Sequence, residues 1–73
     1  MTLYHFDIAG EHPFTDDMGL EKTDDSAAWR EALRLTRDLE ENLQANGTWA
    51  LTVRSGARVV CSIIVTSSFQ QNN

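Results

Sequence analysis

TDDSAAWREALRLTRDLEENLQANG, residues 23–47, is the stretch on which the fold turns. Ala28, Ala32, Leu35, Leu39 and Leu43 recur at steps of four, three, four and four, so on a 3.6-residue period they form one narrow apolar stripe. Asp24, Asp25 or Ser26 can accept the free amides of a first turn, and the aspartates suit the positive end of a helix dipole. Asn46 and Gly47 mark the other end, where glycine enters the left-handed conformation without steric cost. The spacing therefore predicts one amphipathic helix over residues 24–46. Its alanines permit close approach to a sheet, and its leucines fill a wider gap, so oblique packing is expected.

Working outward, 73 residues suffice for one domain with a small core. Chains of this size are marginal alone, which makes oligomerisation an early expectation. A single cysteine, Cys61, excludes an internal disulfide and fits a reducing compartment. The first ten residues carry neither a basic leader nor a long apolar run, so a cytoplasmic protein without a membrane span is expected. Net charge is −5 and uneven: residues 1–25 hold seven carboxylates against Lys22, whereas residues 47–73 hold Arg54 and Arg58 and no acid. Such a chain is a poor partner for a nucleic-acid backbone.

Before the helix, residues 3–8 alternate, with Tyr4, Phe6 and Ile8 on one side and Leu3, His5 and Asp7 on the other, as in a half-buried strand. Residues 12–15 read as a short second strand, placed at an edge because Pro13 has no amide for a ladder. Asp16 to Gly19 then form a turn, and Leu20 leads into the helix cap. After the helix, Trp49, Leu51 and Val53 alternate with Ala50, Thr52 and Arg54. Ser55-Gly56 signals a hairpin, and residues 58–66 return as a last strand that is apolar on both faces. The tail, 67–73, is polar, although Phe69 could fold back. The expected fold class is α+β, in the order β-β-α-β-β, a predominantly antiparallel sheet of three to four strands with one helix on one face.

Tyr4-His5-Phe6-Asp7, Asp16-Asp17-Met18-Gly19-Leu20-Glu21, Glu31-Ala32-Leu33-Arg34, and Trp49 with Val53 together resemble a family of short alphaproteobacterial proteins, common in rhizobia, classed as a domain of unknown function. The similarity spans nearly the whole chain. Trp29 departs from the family pattern, in which a small or basic residue is common there. The resemblance implies a bacterial cytoplasmic origin and the same β-β-α-β-β layout, and it implies no activity or cofactor.

Candidate chemistry is sparse. His5, Asp7 and His12 could converge across the first hairpin as a metal site, but no supporting ligand spacing accompanies them, and solvated residues on a polar face is the preferred reading. Asp16, Asp17, Glu21, Asp24 and Asp25 could attract a cation, yet turn formation and helix capping account for the aspartates separately. Arg30, Arg34 and Arg37 share the helix face opposite the stripe and could receive an acidic partner or phosphate, but Arg34 can pair with Glu31 or Asp38 and Arg37 with Glu40 or Glu41, so a solvated, charge-laced face is the preferred reading. Cys61 has the parity of Val59, Ile63 and Val65 and reads as a buried small apolar residue. No cofactor is expected.

One helix cannot cover both faces of the last strand. Trp29 and Leu33 on the helix flank, with Val60 and Ile64 on the uncovered face, are the expected interface. The expected function is a non-catalytic protein–protein interaction or regulatory module acting as a homodimer. A nucleic-acid-associated, antitoxin-like regulator ranks second, and a metal-dependent enzyme on His5, Asp7 and His12 ranks last.

Overall fold

A computed structural model of the chain describes residues 1–41 and 45–70. Its elements are β1 (Thr2–Ala9), β2 (Leu20–Lys22), α1 (Asp25–Glu41), β3 (Thr48–Ser55) and β4 (Arg58–Thr66). They form one four-stranded sheet in the order β2-β1-β3-β4, antiparallel throughout. The expected β-β-α-β-β layout is present, with α1 on one face.

The alternation in β1 and β3 fixes which face is buried. Phe6 pairs with Val53 and Ile8 with Leu51, which puts both apolar rows on the same side of the sheet. There Tyr4, Phe6, Leu51 and Val53 close against Ala28 and Ala32, with Ile8, Leu35, Val60, Cys61 and Ile63 packed around them. The two alanines are fully buried, so α1 approaches the sheet at the separation a methyl group sets. Leu43, the last residue of the expected stripe, lies outside the described residues.

The second strand does not lie at residues 12–15, its expected position. Residues 12–15 contribute a single bridge, Phe14 to Ile8, with N–O distances of 2.7 and 2.8 Å. The strand proper is Leu20–Lys22, in register with Tyr4, Leu3 and Thr2. Pro13 allows one bridge but no continuing ladder, so pairing resumes only after the Asp16 to Gly19 turn. Gly19 takes φ +77, and a Cβ there would lie 2.9 Å from both the Leu3 side chain and the Tyr4 carbonyl.

Asp24 caps α1, its Oδ1 accepting the Ala27 amide at 2.9 Å. At the entry to β3 the left-handed residue is Asn46, at φ 61, rather than Gly47. Asparagine tolerates this conformation through its short polar side chain. Here that side chain accepts the Phe69 amide at 3.0 Å and donates to its carbonyl at 3.3 Å. The tail is thus fastened through Phe69's backbone, and the residue is 61% exposed. β3 and β4 are joined by Gly56-Ala57, with Gly56 at φ 60, as a two-residue type II′ hairpin requires.

A bulge interrupts β4. Val53 opposes Cys61 and Arg54 opposes Val59, so Val60 is the extra residue. Parity changes across it, which corrects two assignments. Val59, expected on the helix side, is 62% exposed on the face of its partner Arg54, and Val60, expected on the uncovered face, packs against the core. Beyond the bulge Cys61, Ile63 and Val65 turn toward the helix, and Ile64, 70% exposed, lies on the uncovered face.

Candidate functional site

The uncovered face carries a polar latch. Its centre is Asp16, in the segment between the Phe14 bridge and β2. From Ile8 to Tyr4 β1 spans four steps, whereas from Phe14 to Leu20 the opposing chain takes six. The surplus loops outward, and a side chain fills the gap in the ladder. Asp16 Oδ2 accepts the Phe6 amide at 3.1 Å, and Oδ1 accepts those of Met18 and Gly19 at 3.1 and 3.0 Å. Burial acts to raise the Asp16 carboxyl, but the amides of Gly19, Phe6 and Met18 outweigh it and hold the group below its ordinary value.

Asp7, Arg54 and His5 complete the latch. Asp7 Oδ1 accepts the Asp16 amide at 2.9 Å, and Oδ2 accepts Arg54 Nε at 2.7 Å. Arg54 Nη2 also donates to the Asp16 carbonyl at 3.1 Å, and His5 Nδ1 lies 2.9 Å from the same oxygen. The Arg54 hydrogen bond is the main reason the Asp7 carboxyl sits below its usual range. Of the three expected metal candidates, His5 and Asp7 are therefore brought together around Asp16. His12 instead lies beside Trp49, ring centroids 6.4 Å apart and planes tilted by 39°, on the side of the sheet that bears the core. Among the described residues no group of three or more His, Cys, Asp and Glu is placed to hold a metal ion. The acidic cluster likewise resolves into Asp16 in the latch and Asp24 at the helix cap.

On the helix side, the start of α1 and β4 enclose an open cleft of about 270 Å³, lined by Asp25, Ser26, Trp29, Val60 and Cys61. Asp25 is its polar anchor. It accepts the Tyr4 hydroxyl at 2.7 Å and the Arg58 guanidinium at 3.1 and 3.2 Å. Arg58, then Tyr4, hold the Asp25 carboxyl low, and the bond to Asp25 raises the Tyr4 phenol. Burial, followed by the nearby Asp25 charge, pushes the Cys61 thiol up. Trp29 and Leu33, each 42% exposed, project from the flank of α1 beside the cleft.

Sequence reasoning assigned Glu31 to a solvated helix face, as one of two acids in range of Arg34. The pairing with Arg34 is present, but Glu31 is only 8% exposed and also accepts Lys22 Nζ of β2 at 3.2 Å. Arg34 chiefly, with Lys22 adding and burial opposing, keeps the Glu31 carboxyl low. The available signal was Glu31's position three residues after Ala28, at the margin of the apolar stripe.

The fold and these clusters define a small antiparallel α+β domain whose polar side chains brace its loops and helix. Residues 3–66 match the sequence profile of a family described as "Domain of unknown function (DUF6894)", and the chain belongs to that family. No curated protein and no solved structure matches it significantly. Among the described residues no helix is long and apolar enough to cross a membrane.

Proposed function

We propose that this domain is a non-catalytic protein–protein interaction or regulatory module that acts in the cytoplasm as a homodimer. The observation that carries the reading is where the exposed apolar surface lies. Val59 and Ile64 project from one side of β4, and Trp29 and Leu33 flank it on the other, in a chain too small to bury them itself. The titrating groups give further support. Asp7, Asp16, Asp25 and Glu31 are each engaged by amide, guanidinium, phenol or ammonium groups of the fold itself. Their partners are structural. The lone Cys61 supports a reducing compartment.

Size-exclusion chromatography with light scattering tests the reading. A dimer at micromolar concentration that Ile64→Asp converts to monomer is the expected result. A wild-type monomer at these concentrations, unaffected by the substitution, overturns it.

A further inference from the structure

We propose that two copies of this chain join edge to edge through β4, antiparallel about a two-fold axis at Ile64, to make one continuous eight-stranded sheet. This rests on the homodimer reading and specifies its geometry. β4 ends the sheet, pairing with β3 alone among the described strands. It is nine residues long, contains no proline, and carries one charge, Arg58, already matched by Asp25. The bulge at Val60 lies before residues 62–66, and over those residues the edge carries none of the proline, charge or bulge that guards an edge strand, which leaves it a template for a further strand. The opposite edge is unsuitable, being the three-residue β2 with Glu21 and Lys22 in it.

Hydrogen-bond parity selects the register. The Ser67 amide donates to the Gly47 carbonyl at 2.9 Å, one step beyond the Thr48–Thr66 pair. Alternation in an antiparallel ladder then turns the backbone groups of Ser67, Val65 and Ile63 toward β3, and those of Thr66, Ile64 and Ser62 toward the free edge. A two-fold at Ile64 sets Ser62 opposite Thr66 of the second copy, Ile64 opposite Ile64, and Thr66 opposite Ser62, satisfying all three outward residues at once. The side chains agree with this register. Hydroxyl meets hydroxyl at both ends, the two exposed isoleucines meet on the uncovered face, and Ile63 meets Val65 on the helix side. The same register sets the tail of each copy, residues 67–69, beside the Val59 to Cys61 end of β4 in the other, where Val59 is mostly exposed.

Charge does not oppose a second copy at this edge. Two molecules of net charge −5 repel over most of their surfaces, yet residues 59–70 hold no charge at all, and the two copies can meet there. The strand seam is short, whereas a stable homodimer takes about 800 Å² from each partner. Trp29, which lines the cleft with Val60 and Cys61 at the end of the seam, and the tail through Phe69 supply the additional area.

The test uses the full chain. Proline at position 64 removes only an outward amide, so Ile64→Pro should keep the monomer fold by far-ultraviolet circular dichroism while weakening the dimer about 100-fold or more by sedimentation. In a Cys61→Ala background, Ile64→Cys should form an intermolecular disulfide under mild oxidation, and Leu3→Cys, on β1, should not. If Ile64→Pro fails to fold, Ser62→Lys with Thr66→Lys, which leaves the backbone intact, replaces it and must weaken the dimer as strongly. A wild-type dimer that survives these substitutions and does not cross-link at position 64 overturns the edge geometry while leaving the homodimer standing. A monomeric wild type overturns both.

Discussion

Replacing Asp16 by asparagine should destabilise this domain out of proportion to the one atom changed. The carboxylate accepts from Phe6 through one oxygen and from Met18 and Gly19 through the other. Asparagine keeps one acceptor. If its oxygen stays with Met18 and Gly19, its amide group faces the Phe6 N–H, donor against donor. A hydrogen bond to a charged group contributes about 1.5–3 kcal/mol, and an unsatisfied buried donor costs about 1–3 kcal/mol. Asp16→Asn should therefore cost about 2–3 kcal/mol and Asp16→Ala somewhat more, with a total stability near 4–11 kcal/mol for a domain of this length. Urea unfolding followed by the fluorescence of buried Trp49, in a Trp29→Phe background, measures this. The midpoint should fall with the slope unchanged. Asp17→Asn, at the exposed neighbouring position, is the control and should stay within about 0.5 kcal/mol of the parent. If the two asparagine variants unfold at the same midpoint, Asp16 does not stand in for a strand and the account of the latch is wrong.

Two glycines at positive φ should separate crowding from backbone strain. Gly19→Ala meets the Leu3 side chain and the Tyr4 carbonyl at 2.9 Å, whereas Gly56→Ala meets nothing within 4 Å. Thermal unfolding should show Gly56→Ala costing about 1 kcal/mol and Gly19→Ala about 2–4 kcal/mol, and equal costs would contradict the close packing of the turn on β1. Glu31, held low by Arg34 and Lys22, binds fewer protons folded than unfolded. Its contribution is complete above the unfolded carboxyl value of about 4.3 and is lost as pH falls through the lower folded value. Glu31→Gln should accordingly be less stable than wild type at neutral pH, with the difference closing below about pH 4; a gap that stays constant down to acid pH would show that the pairing is not what Glu31 contributes.

Most of the layout was legible because alternation and helical period survive wherever one face is buried. Tyr4, Phe6 and Ile8, and Trp49, Leu51 and Val53, announced their strands, and Ala28 and Ala32 announced the helix face. β2 was not legible. Three residues are too few to show alternation, and the ladder that carries them is completed by the Asp16 side chain, which no pattern of hydrophobicity encodes. The β4 bulge was hidden for a related reason: inserting Val60 shifts parity without changing composition, so Val59 and Val60 exchanged faces. Of the candidate site residues, Trp29, Leu33 and Ile64 are exposed as expected, while Val60 is not. His12 parted from His5 and Asp7 because the turn at Gly10 and the single Phe14 bridge carry it toward Trp49.

The latch at Asp16 also bears on how many molecules an assembly of this chain can hold. By occupying the Phe6 amide and folding the surplus residues outward, it leaves the β1 side of the sheet with only a short, charged strand at its rim. A sheet with two open rims can be extended from both and grows into a fibre. A sheet open along one rim alone is used up by a single two-fold pairing. One carboxylate, bonded to three amides far from β4, thereby leaves a single long rim, and the edge pairing proposed above would stop at two.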